Sequence, residues 1–516
     1  MQISSLLPLL AYAALHPVPI RGAGALCRDD PKYQYEGRKG TCAKFVAQDP
    51  AVRCGLRDGT LSLSVRCPLS CGACADCRDV RGKIPGVDKS CGWAAKQPAR
   101  RCRRKVGAGK ERVANYCVRS CGACPERRCA QQKVTAQQLA PSGTIEDHRQ
   151  PNHFFGYATA VSGDTLVVGA QHTHGLYGTV YVYQNDHAQG AWVLEATLSP
   201  AVAIRGNKFG FSVALEDDLL VIGAAFEESN SGAAYVFRRV DWGEWEEVQR
   251  LVPYDRKNTY HYFAGAVGIT AGKRIVVGSW SAADQRNQLY FYEPDEQGWK
   301  SGTWSNGPAV VFEEDGADFN VHRISPRAGG RVAVSGMRDG QGAVYVFNGS
   351  DLEQTVVFPH EDPTGFGRGP AVGLSADALA IGAFARTAGA DRSGCVLLYA
   401  RKKQGFQKIQ DLCFQDDRGA GTHFGSAVAV VGDVLAVGAQ YHDGGLGRGK
   451  TGAAYLYSRE GKKGEWTLDR RVVAEDGAAD DRLGFDLSMS GSVVALGAFQ
   501  DDTGRGAVYM EDVGCS

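Results

Sequence analysis

The chain reads as an all-β protein, a seven-bladed β-propeller preceded by two small disulfide-rich modules. Three observations predict it. Glycine fills 66 of 516 positions while aromatic residues hold 9%, a balance that suits many short strands joined by tight turns better than a disordered chain. Beyond Cys129 one pattern recurs seven times, at intervals of 47 to 59 residues, a period proper to propeller blades. Twelve of the sixteen cysteines lie between Cys27 and Cys124, a density expected of modules too small to fold on a core alone.

The first element is a leader. An apolar stretch runs from Ile3 to Leu15, with small-residue cleavage positions after Ala13 or Ala25, and residues 1–25 are read as a secretory signal peptide. The stretch is too short to span a bilayer, and no other apolar run reaches about 18 residues. Export also suits sixteen cysteines, which form disulfides only in an oxidising compartment. The sequence Asn348-Gly349-Ser350 supplies one N-glycosylation site at Asn348. The expected location is therefore extracellular.

The front is a tandem repeat. Cys27, Cys42, Cys54, Cys67, Cys71 and Cys74 are separated by 14, 11, 12, 3 and 2 residues, and Cys77, Cys91, Cys102, Cys117, Cys121 and Cys124 by 13, 10, 14, 3 and 2. Both sets end in Ser-Cys-Gly-Ala-Cys. Residues 27–76 and 77–128 are thus one module, duplicated, each needing three disulfides worth about 2–4 kcal/mol apiece in place of a core. About 15 pairings per module are open on the sequence alone. Metal ligation by Cys-x3-Cys-x2-Cys is the competing reading, but it lacks a fourth ligand at similar spacing.

The six-cysteine order with its closing Cys-x3-Cys-x2-Cys, together with Asp29 and Asp79 shortly after the first cysteines, resembles the ShK toxin-like (ShKT) domain. That resemblance implies pairing of Cys27 with Cys74, Cys42 with Cys67 and Cys54 with Cys71, then Cys77 with Cys124, Cys91 with Cys117 and Cys102 with Cys121. The toxins block potassium channels through a Lys-Tyr pair. Leu61-Ser62 and Glu111-Arg112 stand there instead, so a basic binding or spacer module is expected rather than a toxin.

Residues 129–516 carry the seven repeats. Each has a Phe-Gly or a relative, at Phe155, Phe209, Phe263, Phe319, Phe366, Phe424 and Leu483. An apolar run then ends in Gly-Ala or similar, at Gly169, Gly223, Gly278, Gly336, Gly382, Gly438 and Gly497. A Gly-x-x-Tyr type strand follows, then a fourth strand often opened by Trp. Four short strands with tight Gly/Asp turns make one blade. Small residues at the start of the inner strands are expected because backbones crowd the central channel.

These landmarks resemble FG-GAP repeats, the blades of the integrin α-chain propeller. Two departures bear on function. No Gly-Ala is followed by Pro, and the first turns are too short for an Asp-x-Asp-x-Asp-Gly calcium loop. No cofactor or metal is therefore expected; acidic loops such as Asp416-Asp417, Glu475-Asp476, Asp480-Asp481 and Asp501-Asp502 would bind calcium weakly at most.

The last repeat stops after its third strand, and residues 133–143 resemble the missing fourth, so the N-terminal segment is expected to complete the last blade. Aligning the repeats sets Cys129 beside Cys515, which implies a disulfide at the seam. Cys395 and Cys413 flank the turn Lys402 to Gly405 almost symmetrically and are expected to face each other. No cysteine is then left as a nucleophile.

Residues 27–129 hold 23 Lys and Arg against 10 Asp and Glu, whereas residues 130–516 hold 34 against 47. The basic front suits an anionic partner; nucleic acid is excluded by the exported, disulfide-bonded context. On the propeller, the connections from strand two to three and from blade to blade are expected to be long and variable, forming a recognition face. Trp280, Phe384, Tyr441, His442, Asp443, Phe499 and Asp501 are its candidate residues, with packing between blades as the plainer role for the apolar ones. Two histidines on one loop, His172 and His174, lack a third ligand for a metal. No catalytic constellation is visible. The sequence therefore points to an extracellular binding or adhesion protein for a protein or glycan partner, with an extracellular hydrolase or lyase at the channel mouth, or a structural matrix component, as alternatives.

Overall fold

The computed structural model describes residues 131–135, 137–139, 145–147, 152–186, 191–202, 205–254, 262–270, 272–281, 286–295, 302–312, 323–327, 330–338, 341–359, 370–384, 393–414, 421–443, 449–462 and 464–513, together with six two-residue strands of the front. The chain divides into two compact units, residues 1–128 with 186–191, and residues 129–185 with 192–516.

In the first unit the described strands form three small antiparallel hairpins: Gln34–Tyr35 with Arg38–Lys39, Arg57–Asp58 with Leu61–Ser62, and Lys105–Val106 with Glu111–Arg112. All twelve front cysteines lie outside the described residues, as do Cys129 and Cys515 and the leader.

The second unit is seven four-stranded antiparallel sheets in sequence order. Blade 1 is Phe155–Ser162, Thr165–Ala170, Thr179–Asp186 and Ala191–Leu198. Blades 2 to 6 repeat the plan from Ser212, Ala266, Arg323, Ala371 and Phe424. The inner strand of each blade touches those of both neighbours, and the inner strand of blade 7 touches that of blade 1. The ring is closed.

Second strands such as Thr165–Ala170, Leu219–Ala224 and Ala378–Ala383 are buried at every position. Sheets stacked on both faces leave no solvent side, so these strands read as continuous apolar runs rather than as alternating ones. Outer strands such as Glu244–Leu251 alternate between exposed and half-buried residues before ending in a buried Leu251. In blades 2 to 6 the third and fourth strands share a register shift at one place, between Val236 and Phe237, Tyr290 and Tyr292, Val346 and Phe347, Leu398 and Tyr399, and Leu456 and Tyr457. Such a bulge adds local twist to the outer edge.

The Phe-Gly and Gly-Ala landmarks have one physical cause, distinct from the small inner-strand residues, such as Ala158, Ala160, Ala214 and Ala371, that line the channel as expected. The crowding is between blades. The N–H of Phe209 donates to the Tyr177 carbonyl of blade 1 at 3.1 Å, and the same bond recurs from Phe263 to Ser231, Phe424 to Ser393, Leu483 to Thr451 and Phe155 to Arg505. This lays the glycine after each phenylalanine against the Gly-Ala of the preceding blade. A Cβ at Gly169 would sit 2.2 Å from the Gly210 carbonyl oxygen, and one at Gly497 would sit 2.3 Å from that of Gly156. No side chain fits such a gap.

Blade 7 consists of Asp486–Ser490, Val493–Ala498 and Ala507–Asp512, and its fourth strand is Gln132–Val134. Val508 pairs with Val134, Tyr509 with Lys133 and Met510 with Gln132. The seam strand is shorter than the expected 133–143. Gln137–Leu139 instead forms a separate hairpin with Ile145–Asp147. Val134, 5% exposed, packs among Phe155, Val168, Tyr181 and Val508, so one residue of the N-terminal strand joins the core between blades 7 and 1.

Cys395 and Cys413 stand opposite each other on neighbouring strands of blade 5 and are bonded. Asn348 ends the third strand of blade 4 and is exposed. No helix among the described residues is long and apolar enough to cross a membrane.

Candidate binding surface at the channel mouth

The inner strands enclose a cavity of about 580 Å³, lined by Thr159, Ser212, Ser325, Ser426 and Ser488 among small apolar residues. Asp486 crosses from blade 7 to accept from the Thr159 N–H at 2.7 Å and from its hydroxyl at 2.9 Å. The channel wall is thus polar at the point where the ring closes.

At one mouth of this channel the residue before each Phe-Gly takes a left-handed backbone. Phe154 has φ 58°, Lys208 52°, Tyr262 39°, His423 55° and Arg482 61°. Bulky residues avoid this region, at roughly 1–2 kcal/mol each, yet five blades place an aromatic or basic side chain there. Strain repeated at one position and held by the surrounding hydrogen bonds is typical of sites where orientation matters.

These side chains join a belt of rings. His172 stacks near Phe154 at 4.4 Å, and Phe154 meets Phe499 at 5.3 Å. Tyr157 contacts Phe485, Phe499 and Phe211 at 5.1, 5.7 and 5.5 Å. Phe211 reaches Phe226, and Phe226 reaches Tyr262, each at 5.5 Å. On the other side Phe384 meets His423 at 5.3 Å, and His423 meets Tyr441 at 4.3 Å. The Arg482 guanidinium bridges the arcs, 5.1 Å from the Tyr441 ring and 5.7 Å from Phe499. Lys450 lies over Tyr441 at 4.6 Å and Lys208 over Phe226 at 3.8 Å. The belt spans blades 5, 6, 7, 1, 2 and 3.

Within it, Phe384, Phe485 and Phe499 are buried and form the base. Tyr157, Phe211, Phe226, Tyr262, His423 and Tyr441 are half-buried and keep a face toward solvent. Lys208, Lys450 and Arg482 pair with no carboxylate among the described residues, and the Arg482 Nε has no hydrogen-bond partner there. Burial lowers the Lys208 ammonium below its ordinary value, and burial followed by the nearby Lys208 charge lowers His172.

The expected site residues fare differently. Tyr441 is central to the belt, while Phe384 and Phe499 supply its floor. The Trp280 side chain lies outside the described residues. His442 is corrected: it is 3% exposed and turns inward against Phe414 and Tyr455, at 5.7 and 6.1 Å. Asp443 is half-buried, 3.8 Å from His442 Nδ1. Asp501 is also corrected, since at 3% exposure it belongs to the seam. The connections from strand two to three are not uniformly long. In blades 1, 2 and 7 they are one tight turn, closed by Gly178 to Thr173, Gly232 to Glu227 and Gly506 to Asp501 backbone bonds.

That turn aims an acid at the next strand. In blade 2, Glu227 accepts from the Tyr235 hydroxyl at 2.7 Å and from the Arg250 Nε at 2.9 Å. In blade 7, Asp501 takes 2.9 Å from the Lys133 ammonium and 3.2 Å from the Tyr509 hydroxyl. Tyr235 pairs with Arg250 and Tyr509 with Lys133 in the sheet, so the two trios are equivalent. Lys133 also binds Asp476 at 2.7 Å, and Asp481 lies beside them.

Burial raises Asp501 despite Lys133, and raises Asp481 to about 6. For Asp476, whose side chain is 54% exposed, burial acts upward but is outweighed by the hydrogen bonds from Lys133 and Tyr509, which together draw it below its ordinary value. For Lys133, burial acts downward but is outweighed by the hydrogen bonds from Asp476 and Asp501, leaving it raised. Lys133 occupies the position a cation would take among these carboxylates.

The family pattern described as FG-GAP repeat matches residues 147–183, 192–237, 414–457 and 466–510. These cover the first three strands of blades 1, 2, 6 and 7, so those blades are FG-GAP repeats of one seven-bladed propeller. Lys208, Lys450 and Arg482 all stand in them or in their connections. Among solved structures the chain is similar to the structure of U3-55K, with a TM-score of 0.47 and 10% identity over 75% of this chain and 99% of that one. It is also similar to the crystal structure of the Saccharomyces cerevisiae Sqt1, with a TM-score of 0.40 and 10% identity over 71% of this chain and 84% of that one. A search of curated proteins gives no match.

Proposed function

We propose that this FG-GAP-repeat propeller is an extracellular recognition protein that holds its partner at the channel mouth. The observation that carries the reading is the belt itself: half-buried rings interleaved with unpaired cations, set on strained backbone in five blades. Rings with one apolar face and one wet edge are the usual anchors of binding surfaces. Export is supported by the leader-like N-terminus and by sixteen cysteines. The basic front modules add a second, anionic-partner contact.

The test replaces Tyr157, Phe226, Tyr262 and Tyr441 together by Ala and compares the variant with the parent on a glycan array and on immobilised extracellular matrix proteins. Partners bound by the parent are expected to be lost by the variant while its circular dichroism stays that of a β-propeller. Undiminished binding by a folded variant sinks the assignment.

A further inference from the structure

Resting on the mouth as the binding surface, we propose that its ligand is an anionic saccharide chain, sugars carrying carboxylate or sulfate groups, laid along the belt with its C–H faces on the rings and its charges on Lys208, Lys450 and Arg482.

The charge argument comes from how basic residues are used elsewhere in the same unit. Arg239 binds Glu195 at 2.7 Å, Arg459 binds Asp377 and Asp433 at 3.0 Å each, Arg470 binds Glu511 at 3.1 Å, and Lys273 binds Asp217 at 3.0 Å. Acids outnumber bases in this unit, 47 to 34 over residues 130–516, yet some described bases still form no ion pair: Arg205, Arg401, Lys402, Lys403 and Arg471 stand exposed, and Arg505 is half-buried. Lys208, Lys450 and Arg482 also have no carboxylate partner among the described residues, and what sets them apart is their common place on the rings of the mouth. Each is stacked on a ring instead, an arrangement that leaves the ammonium or guanidinium donors free for a ligand oxygen.

The ligand's other half follows from the rings and the main chain. One common way to capture an extended peptide is to add it as a strand to an open edge, with main-chain N–H groups as donors. Beside the belt those groups are already spent: Phe155, Phe209, Phe263, Phe424 and Leu483 donate to the preceding blade. Recognition falls to side chains alone, faces of rings and point charges. Flat C–H faces bearing acidic substituents match that pattern.

The experiment titrates the full chain with three oligosaccharides of equal length: oligogalacturonate, a heparin-derived oligosaccharide and a neutral cello-oligosaccharide. Calorimetry is run on the parent, on Lys208→Gln/Lys450→Gln/Arg482→Gln, and on the four-residue aromatic variant. The expected result is binding of one or both charged chains and not the neutral one, with about tenfold or greater loss in the triple variant and weakening with added salt. Carboxylate and sulfate are told apart by which arm binds.

Unchanged affinity of the triple variant for the charged chains places their binding on the basic front modules and overturns the proposal. So does failure of both charged chains to bind, or equal binding of the neutral one. Loss of a protein partner's binding in the aromatic variant, with no saccharide bound, would keep the mouth as the surface and discard the saccharide. An acidic peptide that competes for the same three cations would likewise replace it.

Discussion

The seam of blade 7 and the channel mouth both gather charged and aromatic side chains, but they use them in opposite ways. At the seam the charges are engaged by neighbours: Lys133 lies between Asp501 and Asp476, Tyr509 donates to both acids, Arg470 holds Glu511, and Asp481 accepts the Ala478 N–H. At the mouth Lys208, Lys450 and Arg482 rest on rings, and the backbone beneath two of them is left-handed. Paired, buried charges fix one arrangement, whereas unpaired charges on a strained frame are held ready for something else. The comparison separates what closes the ring from what the ring presents.

The largest effect is expected at the seam. Lys133→Met leaves Asp501 buried without its cation and should cost about 3 kcal/mol of stability, read as a lower denaturant midpoint. Arg250→Met, which strands Glu227 in blade 2, should cost a similar amount if the two trios are equivalent. A much smaller cost at Lys133 would show that the seam is held mainly by Val134 and the strand pairing.

Next in size is the pH dependence of the seam. The Asp481 carboxyl, raised to about 6 against an ordinary 3.8, keeps a proton in the folded chain that the unfolded chain releases. Its contribution is fully present below pH 3.8 and is lost as pH rises through about 6. Asp481→Asn retains an acceptor for the Ala478 N–H and should remove that fall, gaining about 2 kcal/mol at neutral pH. Urea titrations of parent and variant at pH 4 and pH 7 measure the difference. A parallel pH profile in the variant would place the titrating group elsewhere.

Smaller still are Tyr509→Phe and Tyr235→Phe, each losing a hydrogen bond to a buried acid at a cost of about 1–2 kcal/mol in chemical unfolding. The smallest stability effect belongs to the mouth. Lys208→Gln should move stability by no more than about 0.5 kcal/mol, because it removes one cation–ring contact and no ion pair. A loss of 2 kcal/mol there would make Lys208 a structural residue and end the contrast.

The ring was legible in the chain because its landmarks answer to a steric demand. Only glycine fits where Gly169 meets Gly210, so each blade repeats the signal; in blade 3, Ala264 takes the glycine's place with φ 66°. The need for a fourth strand in blade 7 was legible from the truncated last repeat, although register set it at Gln132–Val134 and the following residues formed their own hairpin.

The mouth was only partly legible. Its rings come from three places in each repeat, before Phe-Gly, after it and after Gly-Ala, and only ring closure brings them together. One signal was present: the position before Phe-Gly reads Phe154, Lys208, Tyr262, His423 and Arg482. Asp501 misled because the tight turn of blade 7 points it back at Tyr509, and His442 because its ring packs against Tyr455 rather than facing outward.

The account is tested most directly by measuring stability and binding side by side on the Lys133→Met seam variant and on the Tyr157, Phe226, Tyr262 and Tyr441 mouth variant. The prediction is a crossed result: the seam variant unfolds at a lower denaturant midpoint yet binds with parental affinity while folded, and the mouth variant keeps most of its stability and loses binding. A mouth variant that keeps its affinity, or loses stability as severely as the seam variant, would contradict it and return the belt to the core.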